Sequence, residues 1–174
     1  RPRWSSRSPP DPTPGDAGVT LRGSLRSGLG RGASFMAIDW VRDGLARIVG
    51  FVPYPGTLNL ALLAEDVATW RHVRARATLA LASPSPETCG ARVFRAVIVP
   101  DVPAAIVVPD ITDHPDDMIE VVAPSHVRTR LGLRDGDYVY FIREEAQNSF
   151  WDTITFDDVH KKYVSLLSRY RLPR

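Results

Sequence analysis

Cysteine is nearly absent from this sequence, since Cys89 is the only one in 174 residues. A single thiol excludes an intramolecular disulfide framework and any zinc site built from several cysteines. It is typical of a reducing compartment, so we expect a cytoplasmic protein. No uninterrupted apolar run approaches the roughly 18 residues of a membrane-spanning helix. Residues 1–18 also have no apolar core of an export signal, so we expect no membrane association.

Lysine is equally scarce, because Lys161 and Lys162 are the only lysines among 22 basic residues. A phosphate-binding P-loop, which requires a lysine, is therefore excluded from the folded core. The net charge is +2, but residues 159–174 contain five basic and no acidic residues. Residues 19–158 contain 14 basic and 18 acidic residues. Since a nucleic-acid-binding domain needs a basic face, we do not expect nucleic acid as a partner.

The two ends of the chain differ in composition from its centre. Residues 1–18 contain five prolines, and Trp4 is their only large apolar residue. Such a segment buries too little apolar surface to offset the entropy of ordering, so we expect a disordered Pro/Arg-rich leader. The folded domain is predicted at 19–145. Apolar residues at 159, 163, 166, 167 and 170 predict a basic helical tail within the remainder, 146–174. We expect this tail to bind a protein partner or to mediate self-association.

Short apolar segments separated by glycine and proline turns dominate the central region. They predict strands at 19–26, 34–38, 57–63, 75–82, 91–99, 104–108, 118–123 and 138–143. Helical spacing predicts a helix at 39–49, capped by Asp39 and ended by Gly50, and a short helix at 125–131 that Gly132 ends. Many short strands with few helices favour a mostly β protein, a closed β-barrel, over an alternating α/β sheet.

A glycine-rich loop follows the first predicted strand. It reads Gly28-Leu29-Gly30-Arg31-Gly32. Alternate glycines allow successive backbone N–H groups to converge on one centre, which is the geometry of an anion-binding nest. A flexible hairpin turn is the alternative interpretation, and the motif alone does not exclude it.

Thr57 and Asn59 lie two residues apart on a predicted strand, so their side chains point to the same face. A hydroxyl and a carboxamide oxygen are hard, neutral ligands suited to a Mg²⁺ ion that also binds phosphate oxygens and water. The preceding Pro53-Tyr54-Pro55-Gly56 turn stiffens the approach to the pair. The alternative is an ordinary polar strand face.

Two further candidates lie between residues 118 and 131. Glu120 interrupts an apolar run, so its carboxylate either faces solvent or has a function. Ser125 opens the predicted short helix, where its hydroxyl together with Arg128 and Arg130 would bind an anion. The alternative for this segment is a helix cap with solvated arginines.

Taken together, these motifs resemble the CTP-dependent riboflavin kinases, which are known chiefly from archaea. The resemblance covers residues 19–145 and depends on the order and spacing of several separate motifs. They are SGLGRG at 27–32, GF at 50–51, PYPGTLNL at 53–60, AIVVP at 105–109, Thr112, and IEVVAPSHVRTRLGLRDGD at 119–137.

The resemblance implies a small six-stranded cradle-loop barrel that transfers the γ-phosphate of CTP to the 5′-hydroxyl of riboflavin, giving FMN and CDP. It implies Mg²⁺ held by Thr57 and Asn59, and flavin contacts from Thr112 and Glu120, with Glu120 also a candidate catalytic residue. The nucleotide-binding residues that it implies are Gly28, Leu29, Gly30, Arg31, Gly32, Ala33, Ser125, His126, Val127, Arg128, Thr129 and Arg130.

One residue departs from the family pattern. Members of the family usually have an acidic residue within the glycine loop, where this chain has Arg31. Reversing the charge beside a nucleotide strengthens phosphate binding or changes the choice of donor. A non-catalytic nucleotide- or flavin-binding regulatory module therefore stays open as an alternative function.

Overall fold

The computed structural model describes residues 19–28, 31–77, 79–111 and 115–143, which contain seven strands and four helices. The predicted leader and C-terminal tail lie outside these residues. The strands are β1 (Val19–Arg26), β2 (Leu58–Leu62), β3 (Leu79–Leu81), β4 (Ala91–Ile98), β5 (Val102–Pro109), β6 (Met118–Val122) and β7 (Tyr138–Arg143). The helices are α1 (Arg31–Met36), α2 (Asp39–Val49), α3 (Ala64–Arg74) and α4 (Val127–Leu131). None of these helices is long and apolar enough to cross a membrane.

Six of the strands close into an antiparallel barrel in the order β4-β5-β6-β2-β1-β7, with β7 pairing back to β4. The predicted six-stranded barrel is therefore confirmed. The remaining strand, β3, pairs with residues 91–93 of β4, while β7 pairs with residues 96–98. One edge of β4 therefore pairs first with β3 and then with β7, while its other edge pairs with β5. Closure leaves few backbone N–H and C=O groups unpaired in the barrel wall.

The barrel interior is filled by every second residue of the strands. In β2, for example, Leu58, Leu60 and Leu62 are buried, whereas Asn59 and Ala61 between them are only partly buried. The same core extends into α3 and α4, which contribute Trp70, Val73 and Val127. Because side chains alternate along a strand, the partly buried residues form the outer face of the barrel.

A second apolar cluster covers part of that outer face. Helices α1 and α2 contribute Met36, Val41 and Leu45, which pack on residues of β3 to β6 that point outward. Strand β5 is consequently buried on both sides, which explains its unbroken apolar sequence. These two helices lie over the face that carries the candidate site residues described below.

Two sequence predictions of secondary structure are wrong. Residues 34–38, predicted as a strand, lie mostly in α1, because a short apolar run does not distinguish a strand from a buried helical turn. Helix α3 was not predicted, and the strand predicted at 75–82 is reduced to β3. Helix α3 has only a weak apolar stripe, and its buried residues include the charged Asp66.

The predicted glycine stops are confirmed, whereas the predicted caps are not. Gly50 and Gly132 follow α2 and α4 with φ of 82° and 66°, in the left-handed conformation that favours glycine. Asp39 is the first residue of α2 and Ile38 occupies the cap position. In α4 the cap position is His126, so Ser125 lies one residue further from the helix than predicted.

Candidate functional site

The glycine segment, residues 27–33, of which the structure describes 27–28 and 31–33, follows β1, and two of its glycines lie against Asn59 of β2 and against Thr57. A Cβ atom added to Gly28 would overlap the side-chain amide nitrogen of Asn59, and one added to Gly32 would overlap the Thr57 hydroxyl. A side chain at Gly32 would therefore displace Thr57 or the helix, and one at Gly28 would displace the Asn59 amide. Gly32 and Ala33 belong to α1, so the loop is shorter than predicted, and Leu29 and Gly30 lie outside the described residues.

A row of three polar residues crosses β1, β2 and β6 under this segment. Arg26 is paired with Asn59, and Asn59 is paired on its other side with Glu120. Each is flanked in its own strand by residues of the barrel interior, so all three side chains point outward. Directly opposed residues of antiparallel strands have Cβ atoms about 4.5–5.5 Å apart. The metal-binding and flavin-binding residues implied by the resemblance are thus immediate neighbours.

A cavity of about 200 Å³ lies beside this row, between the proline turn at 53–56 and α4. It brings together Thr57 and the second proposed nucleotide segment, which are far apart in the sequence. Its lining residues are Tyr54, Pro55, Gly56, Thr57, Leu58, Val121, Ala123, Ser125, His126, Val127 and Arg128.

The proline turn and the residues before α4 form the wall of this cavity. The Tyr54 N–H donates a 2.8 Å hydrogen bond to the Ala123 carbonyl, which fixes the proline turn to the end of β6. The rings of Tyr54 and His126 lie 5.1 Å apart at an angle of 52°. The Ser125 hydroxyl oxygen is buried and has no hydrogen-bond partner among the described residues. A buried hydroxyl without a partner is available to a ligand that enters the cavity.

Asp135 connects the glycine segment to α4. Its carboxylate accepts hydrogen bonds from the Ser27 N–H at 3.1 Å and from Arg128 Nη1 at 2.6 Å. Arg128 Nη2 also donates to the Arg26 carbonyl at 2.8 Å. The Ser27 hydroxyl and the Arg128 guanidinium hold the pKa of the Asp135 carboxyl below its usual value. Arg128, which the sequence analysis gives as a candidate anion ligand, therefore also connects α4 to the glycine segment.

The sequence of this same region matches a known family. Residues 25–142 fit the CTP-dep_RFKase family, described as "Domain of unknown function DUF120". The match covers more than half of the chain, and the motifs that build the site all lie within it. The chain belongs to this family.

Relatives of the chain carry the name riboflavin kinase. The protein from Pyrobaculum islandicum is 42% identical over 124 residues, covering 70% of this chain and 58% of the relative. Its counterpart from Pyrobaculum calidifontis is 40% identical over 126 residues, covering 71% and 59%. The one from Saccharolobus solfataricus is 36% identical over 131 residues, covering 70% and 71%. The chain spans less than two thirds of the length of the two Pyrobaculum relatives.

The residues present fit the Mg²⁺ ion that resemblance to the CTP-dependent riboflavin kinases implies. Thr57 and Asn59 supply neutral oxygen atoms on the same outer face, and the glycine segment covers both. No cluster of three or more His, Cys, Asp or Glu side chains occurs within residues 19–28, 31–77, 79–111 and 115–143. A site with two neutral protein ligands leaves coordination positions for phosphate oxygens and water, which Mg²⁺ prefers to retain.

Besides Leu29 and Gly30, two more of the residues implied by the family resemblance have side chains that the structure does not describe. Thr112 lies outside the described residues, as does the Arg31 side chain, although the Arg31 backbone begins α1. Arg130 is described, and its Nη2 lies 3.3 Å from Asp101 Oδ1 at the protein surface.

The sequence interpretation missed two residues of the site, Arg26 and Asp135. The sequence assigns Asp135 no role beyond its place in the motif at 119–137, because its partner Ser27 is 108 residues away. Arg26 was interpreted only as the end of a strand. Their positions depend on strand pairing between distant segments, for which a single sequence contains no direct signal.

Proposed function

We propose that this protein is a riboflavin kinase that transfers the γ-phosphate of CTP to the 5′-hydroxyl of riboflavin, producing FMN and CDP. The observation that carries the proposal is the arrangement of Thr57, Asn59 and Glu120 under the glycine segment, beside the cavity at α4. The name riboflavin kinase, which the relatives carry, supports riboflavin as the acceptor. The family name supports CTP as the donor.

The donor nucleotide binds between the glycine segment and residues 125–130. Gly28 and Gly32 hold the backbone of the glycine segment against Asn59 and Thr57, so the phosphate chain lies at the edge of this contact, toward the cavity that Thr57 lines. Thr57 and Asn59 would hold Mg²⁺, which when bound supplies positive charge to the phosphate oxygens. The unpartnered Ser125 hydroxyl and the nearby rings of Tyr54 and His126 line the cavity that receives the rest of the nucleotide.

Glu120 orients the acceptor. Glu120 is paired with Asn59, so a hydroxyl hydrogen-bonded to Glu120 lies next to a phosphate held at the Asn59 side of the row. In the reaction the ribityl 5′-oxygen bonds to the γ-phosphorus while the bond from that phosphorus to the β,γ-bridging oxygen breaks. CDP leaves with the electron pair, and the hydroxyl proton passes to the Glu120 carboxylate. Phosphoryl transfer depends mainly on such positioning and on charge stabilisation.

The test is to incubate the protein with riboflavin, Mg²⁺ and each of CTP, ATP, GTP and UTP, and to measure FMN by chromatography. We expect FMN with CTP and much slower formation with the others. Glu120→Gln is expected to lower turnover by at least about 10²-fold, the scale of general-base contributions. Glu87→Gln, in the exposed turn between β3 and β4, is the matched control and is expected to have normal activity.

The second candidate is a nucleotide- or flavin-binding regulatory module without turnover. The reversed charge at Arg31 is the observation that favours it. The same assay decides between the two, because such a module would quench riboflavin fluorescence or bind CTP but form no FMN with any of the four nucleotides. Faster FMN formation with ATP than with CTP would instead retain the kinase and contradict the donor assignment.

A further inference from the structure

Arg26 occupies one end of the polar row that runs to Asn59 and Glu120. It is the last residue of β1, is exposed, and points outward because its neighbour Leu25 is completely buried in the barrel. Its side chain has no hydrogen bond or ion pair with any described residue. The row therefore places a cation, a neutral amide and a carboxylate on three adjacent strands, in that order.

The backbone at Arg26 is held on three sides. Pairing with Asn59 fixes it to β2, the Arg26 carbonyl accepts a 2.8 Å hydrogen bond from Arg128, and the next residue, Ser27, is bound to Asp135. The contacts that join the glycine segment to α4 therefore also fix the backbone from which the Arg26 side chain extends. Neighbouring strands are separated by about 4.8 Å, which is shorter than an extended arginine side chain, so Arg26 is long enough to contact a ligand beside Asn59.

Two other arginines near the site, whose side chains the structure describes, are engaged with carboxylates. Arg128 donates to Asp135, and Arg130 pairs with Asp101. The folded core contains no lysine, so a phosphate on this face meets arginine or backbone N–H groups. Arg26 retains its charge for a ligand, and a guanidinium is well suited to binding two phosphate oxygens.

We propose that Arg26 binds the transferring phosphoryl group and stabilises the charge that develops on it. This inference rests on the proposed function. The row then has the donor phosphate at its Arg26 end and the acceptor hydroxyl at Glu120. Arg26 undergoes no covalent change, because the bond that forms and the bond that breaks both lie on the phosphorus. Its contribution is electrostatic and greatest when the phosphoryl group is between the two oxygens.

The test compares Arg26→Ala, Arg26→Gln and Arg26→Lys with the wild type in the FMN assay. We expect the alanine and glutamine variants to lose about 10²-fold in kcat, the scale for one preorganised electrostatic contact. Arg26→Lys should retain an intermediate rate, and guanidinium ion added to Arg26→Ala should restore part of the loss. The KM for riboflavin should stay unchanged. Arg47→Ala, which removes an exposed arginine of α2, is the control and should keep the wild-type rate.

Two results would overturn the inference while leaving the kinase assignment intact. One is a wild-type kcat in folded Arg26→Ala and Arg26→Gln. The other is a loss of rate that follows a lower melting temperature in all three variants and is not restored by guanidinium.

If the wild type forms no FMN with any nucleotide, the proposed function fails, and Arg26 is then tested by calorimetric titration with CDP and with cytidine. Weaker CDP binding by Arg26→Ala, with cytidine binding unchanged, would support phosphate contact. Equal CDP binding by the wild type and Arg26→Ala would overturn it.

Discussion

Gly32 of α1 packs so closely on Thr57 that a methyl group at Gly32 would lie 2.9 Å from both the Cβ and Cγ2 atoms of Thr57. Real Cβ atoms do not approach that closely, so either the helix or Thr57 must move when a side chain is added. The contact ties the position of α1 to the hydroxyl that we assign to magnesium.

Gly32→Ala is therefore expected to impair the site more than the fold. An extra methyl group in a tightly packed contact lowers the free energy of unfolding by about 1–3 kcal/mol when the neighbouring atoms cannot move. Here the atoms that can move to make room include those of Thr57. We expect turnover to fall by at least about 10-fold, with the required Mg²⁺ concentration increased, as measured by FMN formation in a magnesium titration. Ser34→Ala, exposed on the same helix, is the control. Unchanged magnesium dependence in Gly32→Ala would show that the contact has no role in the site.

Thr57→Val, just before β2, and Asn59→Leu, within β2, remove the two neutral oxygens that we assign to magnesium. We expect each to lower turnover by at least about 10²-fold, the scale for losing a preorganised electrostatic contact. Riboflavin binding without nucleotide, followed by fluorescence quenching, should persist in both variants. Thr69→Val, an exposed position of α3, is the control for the same chemical change. A parallel loss of riboflavin binding would instead place the pair in the acceptor site.

Asp135→Asn tests the connection between the glycine segment and α4. The pKa of Asp135 is lowered in the folded protein, chiefly by the Ser27 hydroxyl and then by Arg128. Its contribution to stability is thus complete above the unfolded-state pKa of about 4 and disappears as pH falls through the lower folded-state pKa. We expect the wild type to have a higher melting temperature than Asp135→Asn at pH 7. The difference between the two melting temperatures should become smaller below about pH 4.

The comparison for that experiment is Asp39→Asn, whose exposed carboxylate pairs only with Arg42 of the same helix among the described residues. It should show a smaller difference from wild type at neutral pH. Asp135→Asn should also increase the KM for CTP, because Ser27 and Arg128 both lose a partner. A difference in melting temperature that is constant from pH 7 to pH 3 would contradict the role of the carboxylate charge.

Arg22 and Asp66 connect β1 to α3 and should matter for stability alone. Asp66 is 8% exposed and accepts hydrogen bonds of 2.8 Å from the Arg22 backbone N–H, Nε and Nη2. Asp66→Ala removes three 2.8 Å hydrogen bonds from Arg22 and leaves the Glu65 carboxylate, 3.5 Å from Arg22 Nη2, beside it, so the substitution should cost about 3 kcal/mol in urea unfolding. The double variant Arg22→Met/Asp66→Leu should be less destabilised. The opposite order of stability would contradict this explanation.

Much of the barrel is predictable from local patterns. The alternation in β2 separates Leu58, Leu60 and Leu62 from Asn59, and so predicts which side chains face the core. Gly50 and Gly132 mark two helix ends because few other residues adopt positive φ without strain. The motif order predicted the family, which the match over residues 25–142 confirms.

Other elements escaped prediction because their conformation depends on what packs against them. The apolar stretch at 34–38 is equally compatible with a strand, and it forms part of α1 because Met36 is buried against the second apolar cluster. Helix α3 has a weak apolar stripe and is held by Trp70 in the core and by the Asp66 contact with Arg22. Local propensity is too small to decide such cases when tertiary burial favours the other conformation.

The sequence by itself determined the residue types of the site, their faces on each strand and the family to which the chain belongs. Only the tertiary structure decided that Arg26, Asn59 and Glu120 form one row, and that Gly28 lies on Asn59. The physical reason is register. Alternation specifies the face of a side chain within its own strand, whereas its neighbours across the sheet depend on pairing between segments distant in sequence.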